Sequence, residues 1–267
     1  MFPSNKNYVL GRGELHFGRF GPGTRSVVGG MRYLGNSPSL SISADSESLD
    51  HYDADGPVRV KDDSVLIELN RTGNFTVDHV SPENQAMWLG GAASVVEQAA
   101  LTAQAFTLEN VRRGSSYQIG ESASNPVGVR GVTTVTATAG ATPLVENVDY
   151  LLDREAGLIQ ILPGSTVIDE DDTTDVSLEV TAPAVSYHQA VSGSDANIEG
   201  RLLFKATNAK GAKFDYLFPY VRISPDGEYE LKGEEWQTMS FVFDALKLND
   251  ITESVYTSGR PGVYIDP

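Results

Sequence analysis

Apolar residues recur at every second position in run after run of this chain, which is the pattern of strands with one buried and one exposed face. Leu15 and Phe17 alternate within Glu14–Phe20, and Leu40, Ile42 and Ala44 interleave with Ser39, Ser41 and Ser43. Val65, Ile67 and Leu69 repeat the pattern, and Phe75 and Val77 resume it after a Thr-Gly break. Leu202, Phe204 and Ala206, then Phe214, Tyr216 and Phe218, then Met239, Phe241 and Phe243 do the same toward the C-terminus. The 26 glycines and 13 prolines mostly separate these runs, where turns need them. The expected fold is mainly β and largely antiparallel.

One short helix is predicted. Ser81 precedes Pro82, Glu83 and Asn84, which places an N-cap serine before a proline at the first helical position and an acid in the first turn. Ala86, Met87, Trp88 and Leu89 supply an apolar side, and Gly90-Gly91 ends it. The Ala-rich stretch 92–105 fits either a continued helix or a loop.

Two segments differ from the rest. Asp45–Asp63 holds seven acids against two bases, net −5, and almost no bulky apolar side chain. It reads as a long polar connection, and loops of that length in compact domains are usually functional or disordered. Ser115–Ala190 contains three tyrosines (Tyr117, Tyr150, Tyr187) and no Phe or Trp, with short Thr/Val-rich strand signals. It reads as a small β-sandwich, spanning residues 113–192, inserted into a parent domain built from 1–112 and 193–267.

The chain carries 36 acids and 20 bases, a formal net charge of −16. That balance opposes tight binding to a phosphate backbone, which needs clustered cations. The charge is uneven. Residues 115–190 contribute net −9, the 45–63 segment −5, and the remaining 18 acids and 16 bases nearly cancel. There are no cysteines, so disulfides and thiolate metal sites are excluded. The polar start, Met1 to Gly13, lacks the apolar stretch of a secretory leader. No run of about 18 apolar residues predicts a membrane-spanning helix.

Signals for catalysis are weak. His16, His51, His79 and His188 show no i, i+2 or i, i+4 spacing, so no local pair can clamp a metal. Nucleophile-elbow, phosphate-loop and zinc-helix patterns are missing. Gly11-Arg12-Gly13 and 18–23 are glycine-rich without a following helix pattern, and read as turns. The run Asp169-Glu170-Asp171-Asp172 with Asp175 departs from the calcium-loop pattern. Thr174 stands where the turn glycine belongs and Val180 where the bidentate glutamate belongs. Glu234 and Glu235 beside Trp236 could imitate a sugar site, but adjacent residues of a strand point to opposite faces. No catalytic residue, cofactor or metal is assigned, and the chain is not expected to be an enzyme.

Several runs resemble, in their order, the major tail tube proteins of long-tailed bacteriophages. They are Arg32-Tyr33-Leu34-Gly35-Asn36-Ser37-Pro38 with the serine-alternating strand, Glu47-Ser48-Leu49-Asp50-His51-Tyr52, and Lys61-Asp62 leading to Asn70-Arg71-Thr72-Gly73. Ser81-Pro82-Glu83-Asn84 through Trp88-Leu89-Gly90 continues the series. Tyr117-Gln118-Ile119-Gly120 and Asp149-Tyr150-Leu151-Leu152-Asp153 resemble the added domain of some members.

The resemblance implies a tail-tube-like β-barrel or two-sheet core with one flanking helix, together with the inserted β-sandwich. It implies a virion protein, assembled in the host cytoplasm, whose rings (commonly hexameric) stack into a conduit for viral DNA. The DNA would pass without specific binding, and partners would be the chain itself and other tail proteins. In such subunits a long loop after the second strand reaches the next ring. Asp45, Glu47, Asp50, Tyr52, Asp53, Asp55, Arg59, Lys61, Asp62 and Asp63 occupy that place here. Ser39, Ser41, Ser43, Glu68 and Asn70 are candidates for a polar lumen lining, on which phosphates would slide. Two other readings are a carbohydrate- or surface-binding β module using Trp88 and Trp236, and the inner tube of a contractile injection machine.

Overall fold

The computed structural model describes residues 8–168, 174–194, 197–249 and 253–260. The fold is mainly β: one seven-residue helix stands among seventeen strands in the described residues. In chain order they are β1 (Gly13–Arg19), β2 (Arg32–Tyr33), β3 (Ser39–Asp53), β4 (Val60–Val77), α1 (Pro82–Trp88), β5 (Ala93–Gln98) and β6 (Leu101–Val111). There follow β7 (Ser116–Gln118), β8 (Thr134–Ala139), β9 (Thr142–Leu144), β10 (Tyr150–Asp153), β11 (Leu158–Ile161), β12 (Thr174–Ala182) and β13 (Val185–Ala190). The chain finishes with β14 (Ile198–Ala206), β15 (Phe214–Asp226), β16 (Met239–Leu246) and β17 (Tyr256–Gly259).

The chain divides into two compact units, Met1–Ser94 with Ala190–Pro267, and Val95–Gln189. This corrects the boundaries expected from sequence. Residues 95–112 belong to the inserted unit because β6 pairs along its length with β12. The Ala-rich 92–105 stretch is neither helix nor loop but β5 and the start of β6. There β5 pairs with β13, and Leu101, Gln104 and Ala105 pair with β12; those pairings outweigh the helix propensity of alanine.

The first unit is one continuous antiparallel sheet in the order β2-β1-β14-β15-β16-β4-β3, with β17 also joined to β15. Neither β2 nor β3 has a second partner, so among the described residues the sheet is open at both ends. One face is the core. Leu15 and Phe17 of β1, Phe75 and Val77 of β4, Val221 and Ile223 of β15, and Met239, Phe241 and Phe243 of β16 are all buried. Phe75 stacks on Phe241 at 5.1 Å, and Phe218 meets Phe243 edge-on at 5.2 Å. Burial of this aromatic cluster is the main drive for the unit to fold.

Two sequence details fit the strands to that core. Pro219 lacks an N–H, and the β14–β15 ladder breaks its register there, between the pairs Leu202–Phe218 and Gly200–Val221. At the same point the far side of β15 changes partner from β17 to β16. Gly73 is no strand break: β4 runs unbroken through it. A Cβ there would lie 2.3 Å from the Phe243 ring, so the glycine makes room for that ring.

The helix forms as its residues predict. The Ser81 hydroxyl accepts from the Asn84 N–H at 3.2 Å, Pro82 opens the first turn, and Gly90 leaves it with a left-handed φ of 62°. The buried Asn84 amide donates to the Leu34 and His79 carbonyls at 2.7 and 2.9 Å, which ties α1 to the chain before β3.

In the second unit a three-stranded sheet (β10-β11-β7) and a four-stranded sheet (β6-β12-β8-β9) enclose a separate core. Ile119, Ile159, Ile161, Val176, Leu178 and Val180 are among its buried members. Small β-branched side chains suit a thin sandwich, and this explains the scarcity of aromatics. The acidic run Asp169–Asp172 lies outside the described residues. Asp175 beside it accepts the Asn110 N–H at 3.1 Å, where β6 bulges. Because every core residue of this unit comes from within 95–189, that segment expressed alone should give a folded β protein with a single cooperative thermal transition. Circular dichroism of the isolated segment checks this.

At the end of the first unit, Arg260 grips Asp215 through Nε at 3.0 Å and Nη2 at 2.9 Å, and the Ala206 N–H donates to the same carboxylate at 2.8 Å. The Arg260 hydrogen bond and then the Ala206 N–H hold the Asp215 carboxyl below its usual range, against a partial opposing effect of burial. A carboxyl with a lowered folded value stabilises the fold above the usual aspartate range and loses that contribution as pH falls through its folded value. Asp215→Asn should therefore lower the thermal midpoint at neutral pH, with the gap from the parent closing in acid below about pH 4. Melting curves across pH test the sign.

Candidate functional site

The polar 45–63 segment, expected as an irregular connection, is instead the outer half of a long β-hairpin. β3 and β4 pair from Ser39–Thr76 to Asp53–Val60, while β16 pairs only with residues 72–77 of β4. Beyond Thr72 the hairpin therefore continues as a two-stranded arm with no third strand among the described residues. Every residue from Ser41 to Asn70 is exposed. The turn at 54–59 holds Asp55-Gly56-Pro57, and the Asp55 N–H donates to the Asp53 carboxylate at 2.9 Å. That Asp-Gly-Pro turn was the signal in the sequence for a hairpin.

Polar contacts hold the outer arm in register. Lys61 meets Asp50 at 2.6 Å, Ser64 donates to Asp50 at 2.7 Å, and His51 lies 2.6 Å from Asp62. Lys61 and then Ser64 lower the Asp50 carboxyl from its usual value. The Arg59 guanidinium sits over the Tyr52 ring at 5.4 Å. Register shifts after Glu47 and after His51 leave Ile67 and Asp62 as extra residues on β4. Of the ten arm residues singled out from sequence, Asp45, Glu47, Asp50, Tyr52 and Asp53 lie on β3. Asp55 and Arg59 lie in the turn, and Lys61, Asp62 and Asp63 lie on β4.

The arm also carries apolar groups. Val65, Ile67 and Leu69 read as a half-buried strand face, yet with Leu49 and Leu66 each is more than half exposed. Strand alternation and register put Leu66 and Leu69 on the face continuous with the core, and Leu49 with its partner Val65 on the other. The arm thus presents apolar surface to both sides and buries neither.

The five proposed lumen residues fall on one face. Leu40, opposite Phe75, points to the core, so Ser39, Ser41 and Ser43 point away, facing Thr76, Asn74 and Thr72. Asp45 opposite Asn70 and Glu47 opposite Glu68 extend the row. Ser39 and Thr76 hydroxyls lie 2.8 Å apart, and Ser41 donates to the Asn74 side chain at 2.7 Å. Across β16 the same face continues as Ser240, Val242 and Asp244. From Ser39 to Glu47 and from Glu68 to Thr76 this face carries no Lys or Arg, since Arg71 points to the other side.

The histidines are scattered. His16 lies 3.3 Å from Glu14, which Lys205 also contacts at 2.8 Å, and these two, Lys205 foremost, lower the Glu14 carboxyl. His79 closes over Gly35, His188 lies on β13, and His51 is on the arm. Among the described residues no group of three or more His, Asp or Glu is arranged to hold a metal ion, and no helix is long and apolar enough to cross a membrane. Trp88 packs on Tyr229 with ring centroids 5.5 Å apart, whereas Trp236 is exposed.

An open antiparallel sheet with an exposed arm and one polar, acid-bearing face defines the class: a mainly-β protein. The chain belongs to the family described as Protein of unknown function UCP028589, which matches residues 8–258. No curated protein matches it.

Glu47 and Glu68 face each other directly on the arm. Like charges opposed across a strand pair destabilise it. Glu47→Gln should raise stability by about 0.2–0.5 kcal/mol at low salt, with the gain shrinking as salt screens the pair. Denaturant titrations at two ionic strengths measure it.

Proposed function

We propose that this protein is a ring-forming subunit of a phage tail tube, stacking into a conduit for DNA. The observation that carries the reading is the β3–β4 arm. A lone two-stranded hairpin is marginal in water, and this one exposes apolar side chains on both faces. Contact with other subunits would bury them and recover the hydrophobic free energy of roughly 25 cal/mol per Å2. The reach of the arm suits contact between stacked rings.

Two more features support assembly. The free edge of β3 offers unpaired backbone groups over the length of a long strand, and a neighbour's strand could complete them. The cation-free face of Ser39, Ser41, Ser43, Asp45 and Glu47 would repel phosphate, as a passage for DNA requires. The order of motifs resembling tail tube proteins points the same way. On this reading the protein is a non-enzymatic virion component, built in the host cytoplasm, and its partners are its own copies and other tail proteins. The same core would serve as the inner tube of a contractile injection machine. A carbohydrate-binding module is less favoured, because Trp88 is engaged with Tyr229 and leaves Trp236 as a lone exposed indole.

Negative-stain microscopy of the purified protein should show rings or tubes, and a particle that stays monomeric at high concentration refutes the reading. Replacing Ser46–Leu69 by Asn-Gly closes the hairpin at the Asp45–Asn70 pair, and since every removed residue is exposed, the melting temperature should change little. Long tubes should be lost. Tubes of normal length from this variant would remove the stacking role of the arm.

A further inference from the structure

Away from the arm, the loop between β15 and β16 presents the most exposed large apolar side chains in the described residues. Trp236 is 93% exposed and Leu231 75%. A tryptophan can bury about 150–250 Å2, so leaving one bare costs free energy unless a partner covers it. The loop is held in shape. Tyr229 packs on Trp88, its hydroxyl lies 3.0 Å from the Gln237 amide oxygen, and the Gln237 amide donates to the Leu231 carbonyl at 3.2 Å. Its exposed indole is therefore pre-organised for a partner. Residues 227–238 carry Glu228, Glu230, Glu234 and Glu235 against Lys232 alone.

The same unit contains a surface of the opposite character. Residues 19–32 hold Arg19, Arg25 and Arg32 and no acid. With Phe17 and Met87 from beneath, Arg19, Val28, Met31 and Arg32 line a cavity of about 430 Å3, large enough for an indole. Val28 and Met31 stand exposed at its rim, and Glu83 is its sole acid. The nearly bare Trp236 does not fill it within its own copy.

We propose that the acidic 227–238 loop of one copy docks on the arginine-bearing cavity of a neighbouring copy, with Trp236 as the inserted anchor. The match is apolar at its centre and opposite in charge at its rim, the usual anatomy of a protein interface. The two surfaces differ, so the contact is heterologous and repeats from copy to copy around a ring. The inference rests on the ring-forming reading and specifies which surfaces meet within it.

The absence of native cysteines makes the test clean. Full-length protein carrying both Trp236→Cys and Met31→Cys is assembled, oxidised and run on a non-reducing gel, beside each single variant. Both positions are exposed, and circular dichroism confirms that the variants fold. A ladder of covalent oligomers from the double variant alone supports the contact. A disulfide-linked dimer from Trp236→Cys alone overturns it in favour of a self-facing contact. Rings or tubes under the microscope without a ladder overturn it while leaving the tube reading intact. Failure of the parent protein to assemble removes both. Independently, Trp236→Ala should raise the subunit concentration needed for assembly by at least about tenfold, the penalty of losing an interface anchor. Unchanged assembly, with loss of retention on a glycan column, would overturn the proposal and assign the loop to carbohydrate.

Discussion

The register of β3 on β4, pinned where Leu40 faces Phe75, decides what both sides of the sheet present. Phe75 is fully buried between Phe241 and Phe243, so β4 cannot slip by one residue without expelling an aromatic ring from the core. Period-two geometry then sends Ser39, Ser41 and Ser43 to the opposite face and carries the same order outward to Asp45 and Glu47. A packing interaction in the core thus sets the chemistry of a surface some distance along the same two strands.

The arm is the place where local consistency ends. Within the core the strands between β2 and β3 in the sheet order have neighbours on both sides, and the aromatic cluster they carry is covered. Beyond Thr72 the ladder has two strands, opposed glutamates and bare leucines and valines. Ion pairs near the tip, Lys61 to Asp50 above all, maintain the hairpin, but exposed pairs contribute little to stability. Natural proteins usually blunt such edges with charge, bulges or cover. Here acids and two bulges are present beside the exposed apolar groups, a mixture that discourages random aggregation and leaves room for specific pairing.

The inserted unit follows a different economy. Its core is mainly aliphatic, with Tyr150 as the one aromatic ring among its buried members. The acidity of the chain resides chiefly there and in the hairpin, while the rest of the sequence is close to neutral. Net charge is therefore a property of two segments and says little about the scaffold that carries them.

Much of the scaffold was legible from residues alone. Alternation at Leu15/Phe17, Leu202/Phe204 and Met239/Phe241/Phe243 marked strands, and Ser81, Pro82 and Gly90 marked the helix with its caps, because these signals are local and act within a few residues. Polar alternation also placed Ser39, Ser41 and Ser43 on a single face. What lay beyond it depended on distant partners. Whether Ala-rich 92–105 became strand was settled by β12 and β13, far along the chain. Whether Val65, Ile67 and Leu69 were covered depended on β16 stopping at Thr72. Periodicity reports which residues share a face, whereas only tertiary structure determines whether anything packs against that face.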